Sequence, residues 1–174
     1  MKSILKIIFI LAPLLLSVEF SQLNAKETVK QIQFSFDDRD WEKSFENIND
    51  GKMIMVYTLK GETVNDWTEL VTVQKIPAMP ITPLQFYKNF IKNDQAKENA
   101  EWLTSKIIQK GRKDIFFEWA ISKGPLAEHE WLRLFKTPKE TWLLKYTTKK
   151  LADVEKVRPT WEKIMHEAKI TNVS

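Results

Sequence analysis

The sequence predicts an α+β fold, an antiparallel β-sheet packed with two main amphipathic helices. Short segments alternate apolar and polar residues with the period of a half-buried strand, and turn residues separate most of them. Segments 83–97 and 154–168 instead repeat their apolar residues every three or four positions, the spacing of one helix face. Hairpin-length connections imply antiparallel pairing, and each amphipathic helix must bury its stripe against a sheet.

In chain order, Ile32, Phe34 and Phe36 fall on one side of 29–36, a strand. The charged stretch 37–40 leads to Trp41 and Phe45, whose four-residue spacing reads as a short helical turn. Asn49-Asp50-Gly51 is a turn, followed by a strand over 52–59 and a second turn at Lys60-Gly61-Glu62. Residues 67–75 alternate and are rich in β-branched side chains, so they read as a strand. Pro77, Pro80 and Pro83 punctuate a loop; Thr82 is placed as the N-cap of the helix 83–97, with Pro83 at its first position. Strands follow at 102–109, 114–122, 128–136 and 140–148, with turns at 110–113, 124–125 and 137–139. Val154, Val157, Trp161, Ile164, Met165 and Ala168 mark the last helix, where Pro159 predicts a late start or a kink. The expected order is β-β-β-α-β-β-β-β-α.

The chain has 174 residues, no Cys and a formal net charge of +4. Lys2, Lys6, the apolar run from Ile4 to Leu16 and the polar exit to Ala25 have the order of a secretory signal peptide. The expectation is a signal over 1–25, cleavage near Ala25, a single α+β domain over 26–174 and a periplasmic or secreted protein. The apolar run is too short to span a bilayer and no second one follows, so no transmembrane span is expected in the mature chain. The absence of Cys excludes disulfides, thiolate-bound metals and a thiol nucleophile. The small cationic excess gives no reason to expect nucleic acid.

Gly61-Glu62-Thr63, then Asp66-Trp67-Thr68 opening a strand that runs to Gln74, is the most distinctive stretch. It is similar to a pattern in small exported bacterial proteins of unassigned function. With the helix at 83–97, the meander of 102–148 and the closing Trp-bearing helix, the layout resembles the PsbP-like α/β/α sandwich. The resemblance implies that fold. Its members serve as photosystem subunits, envelope lipoproteins and binding proteins, and it transfers no site residue to this chain. The lipoproteins' anchoring cysteine is lacking here.

The chemistry-bearing residues are sparse. His129 lies between Glu128 and Glu130, but neighbours on a strand point to opposite faces and cannot close on one metal. Glu162 and His166 are one helical turn apart and read as a surface pair. Asp37, Asp38 and Asp40 lack the glycine and glutamate that a calcium loop requires. No serine sits in G-x-S-x-G or S-x-x-K, and no glycines cluster into a phosphate loop. No catalytic residue, cofactor or metal is predicted.

Weaker candidates remain. Lys106, Lys110, Arg112 and Lys113 surround one hairpin tip, and Lys145, Lys149 and Lys150 close a later strand. Sharing a face, they would suit an anionic partner; the plainer reading is that they keep strand edges from pairing. His129, Trp131, Arg133 and Phe135 share one face of a strand, with Leu132 and Leu134 on the other. A strand apolar on both faces is covered on both or lines a groove, which nominates Trp67, Trp131 and Arg133 as groove residues. The expected function is a non-catalytic exported binding or interaction module for a protein partner or small apolar ligand. The alternatives are an envelope assembly or structural factor, and a hydrolase whose carboxylates the fold brings together.

Overall fold

The computed structural model describes residues 29–95 and 100–173; the segment read as a signal peptide lies outside them. The elements are β1 (Val29–Gln33), β2 (Trp41–Asn49), β3 (Lys52–Leu59), β4 (Glu69–Pro77), α1 (Pro83–Gln95), β5 (Leu103–Lys110), β6 (Asp114–Ile121), β7 (Glu128–Lys136), β8 (Glu140–Thr148), α2 (Val154–Glu167) and β9 (Lys169–Val173). β2 to β8 form one seven-stranded sheet in the order β2-β3-β4-β8-β7-β6-β5, while β1 and β9 pair as a separate ribbon. Every pairing is antiparallel.

Residues 41–45 are not a helical turn but the start of β2. Four-residue spacing is shared by a helix face and a strand face, so the pattern does not separate them. The partner strand decides: Trp41 stands opposite Leu59, and a bulge between Lys43 and Phe45 moves Phe45 opposite Val56. The turn into β3 puts Asp50 at φ 47° and Gly51 at φ 73°, the pair of positive values that a tight hairpin with the right strand twist demands. The first strand is shorter than its alternation implies. Phe34 and Phe36 leave β1 yet remain packed, with Phe36 stacked on Trp41 at 5.7 Å and edge-on to Tyr57 at 5.0 Å.

β9 has no counterpart in the expected order. Its five residues are too few to establish a period, and Ile170, opposite Ile32, ties it to the core. Thr82 caps α1 as expected. The Gln85 N–H donates to Thr82 Oγ1 at 3.2 Å and the Thr82 N–H to Gln85 Oε1 at 2.8 Å, a reciprocal box around the unpaired first turn. α2 neither starts late nor breaks at Pro159, which faces solvent inside a continuous helix. The missing N–H costs one helix bond, and burial of Val154, Trp161, Ile164 and Met165 offsets it.

The sheet's alternation sorts the core into two faces. Ile115, Phe117, Trp119, Leu132 and Leu134 point to α1 with Ile91; Phe116, Trp131, Leu144 and Tyr146 point to α2 with Trp161 and Met165. β7 is therefore covered on both sides. On the α2 side the Tyr146 ring lies between Trp161, stacked at 3.9 Å, and Trp131, stacked at 5.7 Å.

Trp161→Ala should remove the lid of this stack and lower stability by ~3–5 kcal/mol, read from urea unfolding. Gly51→Ala meets no atom within 4 Å, so only its backbone conformation is penalised. It should cost about 1 kcal/mol in the same assay.

Candidate functional site

Glu118 on β6 and His129 on β7 point to the same side as Trp131, because Glu118 stands opposite Trp131 and Ala120 opposite His129. α2 begins above them after a 3-10 turn at Leu151–Asp153, and its first turns present Val154, Glu155 and Arg158. A cleft of about 450 Å³ opens between this helix start and the sheet. Lys106, Ala120 and Ser122 contribute to the sheet side, and Leu151, Val154, Glu155 and Arg158 to the helix side.

Its charged groups are bound to one another. Glu118 Oε2 accepts from His129 Nε2 at 3.1 Å and from Arg158 Nη1 at 2.5 Å. Arg158 also donates to Glu162 at 3.0 Å and to Glu155 at 2.8 Å, and its guanidinium lies 5.2 Å from the Trp131 ring centroid. One arginine thus ties three carboxylates, on α2 and β6, and covers the aromatic stack. The Glu118 carboxylate makes Nε2 the protonated nitrogen of His129; Nδ1 is buried without a hydrogen-bond partner among the described residues. Burial is the largest influence on this imidazole and, with Arg158 nearby, outweighs the pull of Glu118, so its pKa is lowered from 6.5 and the ring is neutral near pH 7. The hydrogen bonds from Arg158 hold Glu155 below the usual carboxylate range.

A second polar cluster lies at the same end of the sheet, since Glu69 stands opposite Thr148 and Thr148 opposite His129. Glu69, 2% exposed, accepts from the Tyr146 hydroxyl, from Arg39 at 2.5 Å and from Lys150 at 2.9 Å. Burial would raise its pKa, but these donors prevail and lower it. Asp37 adds Arg39 and the Trp41 indole N–H, at 2.7 and 2.8 Å, and fastens the 37–40 loop. This cluster borders a cavity of about 320 Å³, yet its inner charges are consumed in holding loop, sheet and the turn before α2 together.

The expected groove residues are not brought to one lining. Trp131 has no exposed surface and belongs to the core, a correction that follows from α2 and Arg158 covering β7. Arg133 is 6% exposed and spans Asp114, at 2.8 Å, and the Met165 carbonyl, at 3.1 Å, where it satisfies the end of α2. Trp67 is half-buried beneath the Lys149 ammonium, 3.8 Å from its ring centroid. The basic candidates separate as well. Lys106 lines the cleft, Lys110, Arg112 and Lys113 lie at the β5–β6 turn, and Lys149 and Lys150 follow β8 at the other end of the sheet. Lys145 is opposite Leu132, on the α1 side. Glu118 and Arg158 went unread. Glu118 left a trace, a lone acid at a strand position between Phe116 and Ala120 on the inward face, but no spacing rule links it to a helix residue forty positions on.

A protein-family model matches residues 27–159. The chain belongs to that family. Among solved structures it is similar to cyanobacterial PsbP (CyanoP) from Synechocystis sp. PCC 6803, solved in solution, at 10% identity over 76% of this chain and 94% of that one, with a TM-score of 0.45. No curated protein matches the sequence. Among the described residues no His, Cys, Asp or Glu group has the geometry to hold a metal, and no helix is long and apolar enough to cross a membrane.

Acid should weaken the fold in two stages. His129 has a lowered folded-state pKa, so the unfolded chain takes up its proton first, near 6.5, and stability declines as pH falls below that value. Asp37 and Glu69, also lowered, contribute stability above their unfolded pKa values, near 4, which is lost as pH falls through the folded ones. Melting temperatures from about pH 7 down to about pH 3 should show both stages, and His129→Gln should flatten the first alone.

Proposed function

We propose that the protein is an exported, non-catalytic binding module, a single domain over 26–174 freed by cleavage near Ala25 and held in the periplasm or secreted. The cleft between the start of α2 and the β5–β7 face is its binding site. The observation that carries this reading is that the cleft combines room for a small molecule with walls whose Glu118, Glu155 and Arg158 are already hydrogen-bonded to one another. An apolar or amphipathic ligand enters such a site without stranding a charge. Leu151, Val154 and Ala120 supply apolar contact, and Lys106 stands at the strand edge to meet a polar end. Helices packed against both faces of β7 support treating the domain as a PsbP-like α/β/α sandwich.

The hydrolase alternative has one observation in its favour: Glu118 and Glu155 both border the cleft. Arg158 binds both and holds Glu155 at low pKa, the opposite of what a general acid requires, while His129 has one nitrogen on Glu118 and the other buried. The binding reading is preferred for that reason. An envelope assembly role stands as the further alternative and would use the surface rather than the cleft.

Native mass spectrometry of the protein isolated from its own cells should reveal a retained small molecule. Ser122→Trp, which places an indole in the cleft at an exposed position, should weaken its retention at least about tenfold with the fold intact. Equal retention by Ser122→Trp would move the ligand elsewhere, and a bare protein in every preparation would count against ligand carriage.

A further inference from the structure

At the sheet end away from the cleft, the β5–β6 and β7–β8 turns lie side by side because β6 and β7 are neighbours. Asp114 stands opposite Phe135, and the Lys136 N–H donates to the Lys113 carbonyl at 2.7 Å. This gathers Lys110, Arg112, Lys113, Lys136 and Lys139 onto two adjoining tips, cations that are 23 residues apart or more between the two turns. The acids nearby are otherwise engaged. Asp114 is bound to Arg133 at 2.8 Å, and Glu140 to Lys75 at 3.7 Å and to the Trp142 indole at 3.0 Å. Lys110, Arg112 and Lys113 are exposed and pair with no carboxylate among the described residues, and the Lys136 ammonium meets only the Ile81 carbonyl, at 2.7 Å. Around the 37–40 loop, by contrast, Arg39 and Lys150 are each ion-paired to Glu69.

We propose that these two tips form a docking surface for an anionic lipid bilayer. The charges are mostly lysines, hydrated point charges on flexible stems, which suit a diffuse field of headgroups better than bidentate recognition of one group. They stand on projecting turns, and the tips carry no aromatic residue on which a nucleic acid base could stack. The site is separate from the cleft, so it holds whether or not the cleft carries a ligand.

Vesicles of phosphatidylcholine with about 30 mol % phosphatidylglycerol should retain the protein more than phosphatidylcholine alone, and about 0.5 M salt should release that difference. The triple variant Lys110→Glu, Arg112→Glu, Lys113→Glu should lose the anion-dependent retention by at least about thirtyfold, with an unchanged circular dichroism spectrum. Lys60→Glu, Lys88→Glu, Lys92→Glu alters the net charge equally at exposed positions elsewhere and should retain most of it. Equal loss in both variants would reduce the effect to net charge and overturn the proposal. So would indifference to phosphatidylglycerol, or stronger capture by heparin or polyglutamate than by the vesicles.

Discussion

The rest of the structure hangs on Tyr146. Its ring is clamped between Trp131 of the sheet and Trp161 of α2, and its hydroxyl donates to the buried Glu69. One side chain therefore joins the apolar contact that seats α2 to the polar clip that holds the 37–40 loop and the turn before the helix. Large aromatic faces bury more area per residue than aliphatic ones, and the hydroxyl is tolerable at this depth only because a carboxylate receives it. Burial and the Glu69 hydrogen bond both raise the pKa of this phenol, so it remains a neutral donor across the ordinary range.

The cleft is a consequence of the same arrangement. Once Trp161 is stacked, α2 lies over β7 and β8, and its first turns reach β6 through the bond from Arg158 to Glu118. The sheet face left open there is bordered by Arg158, which covers Trp131 and ties Glu118, Glu155 and Glu162. Removing Arg158 would leave Glu118 beside a neutral imidazole with no full countercharge, so this residue maintains the site's electrical balance as well as its shape. The charged end formed by the β5–β6 and β7–β8 turns is set by strand order alone and does not depend on where α2 sits.

Local pattern made most of the sheet legible. Strands β3 to β8 lie close to where alternation and turn residues put them, and the Thr82 cap of α1 was readable because a cap needs only neighbours in sequence. Residues 41–45 are not legible because their four-residue spacing fits helix and strand alike, and the pairing and bulge that decide between them are specified by the partner strand. The ribbon of β1 with β9 joins the two ends of the described chain, a pairing that carries no local signature.

By itself, the sequence determined the α+β class, the apolar character of both faces of β7 and the scarcity of recognisable catalytic chemistry, since each follows from residue type and short-range period. Tertiary structure alone decided that Trp131 is core and not groove, that Arg133 satisfies the end of α2, and that Glu118, His129 and Arg158 meet. The physical reason is that an inward-facing strand residue becomes core or binding surface according to what covers it. That cover is a helix whose path depends on Trp161 stacking against Tyr146 of the neighbouring strand, fifteen residues away in sequence, and the period of β7 carries no sign of it.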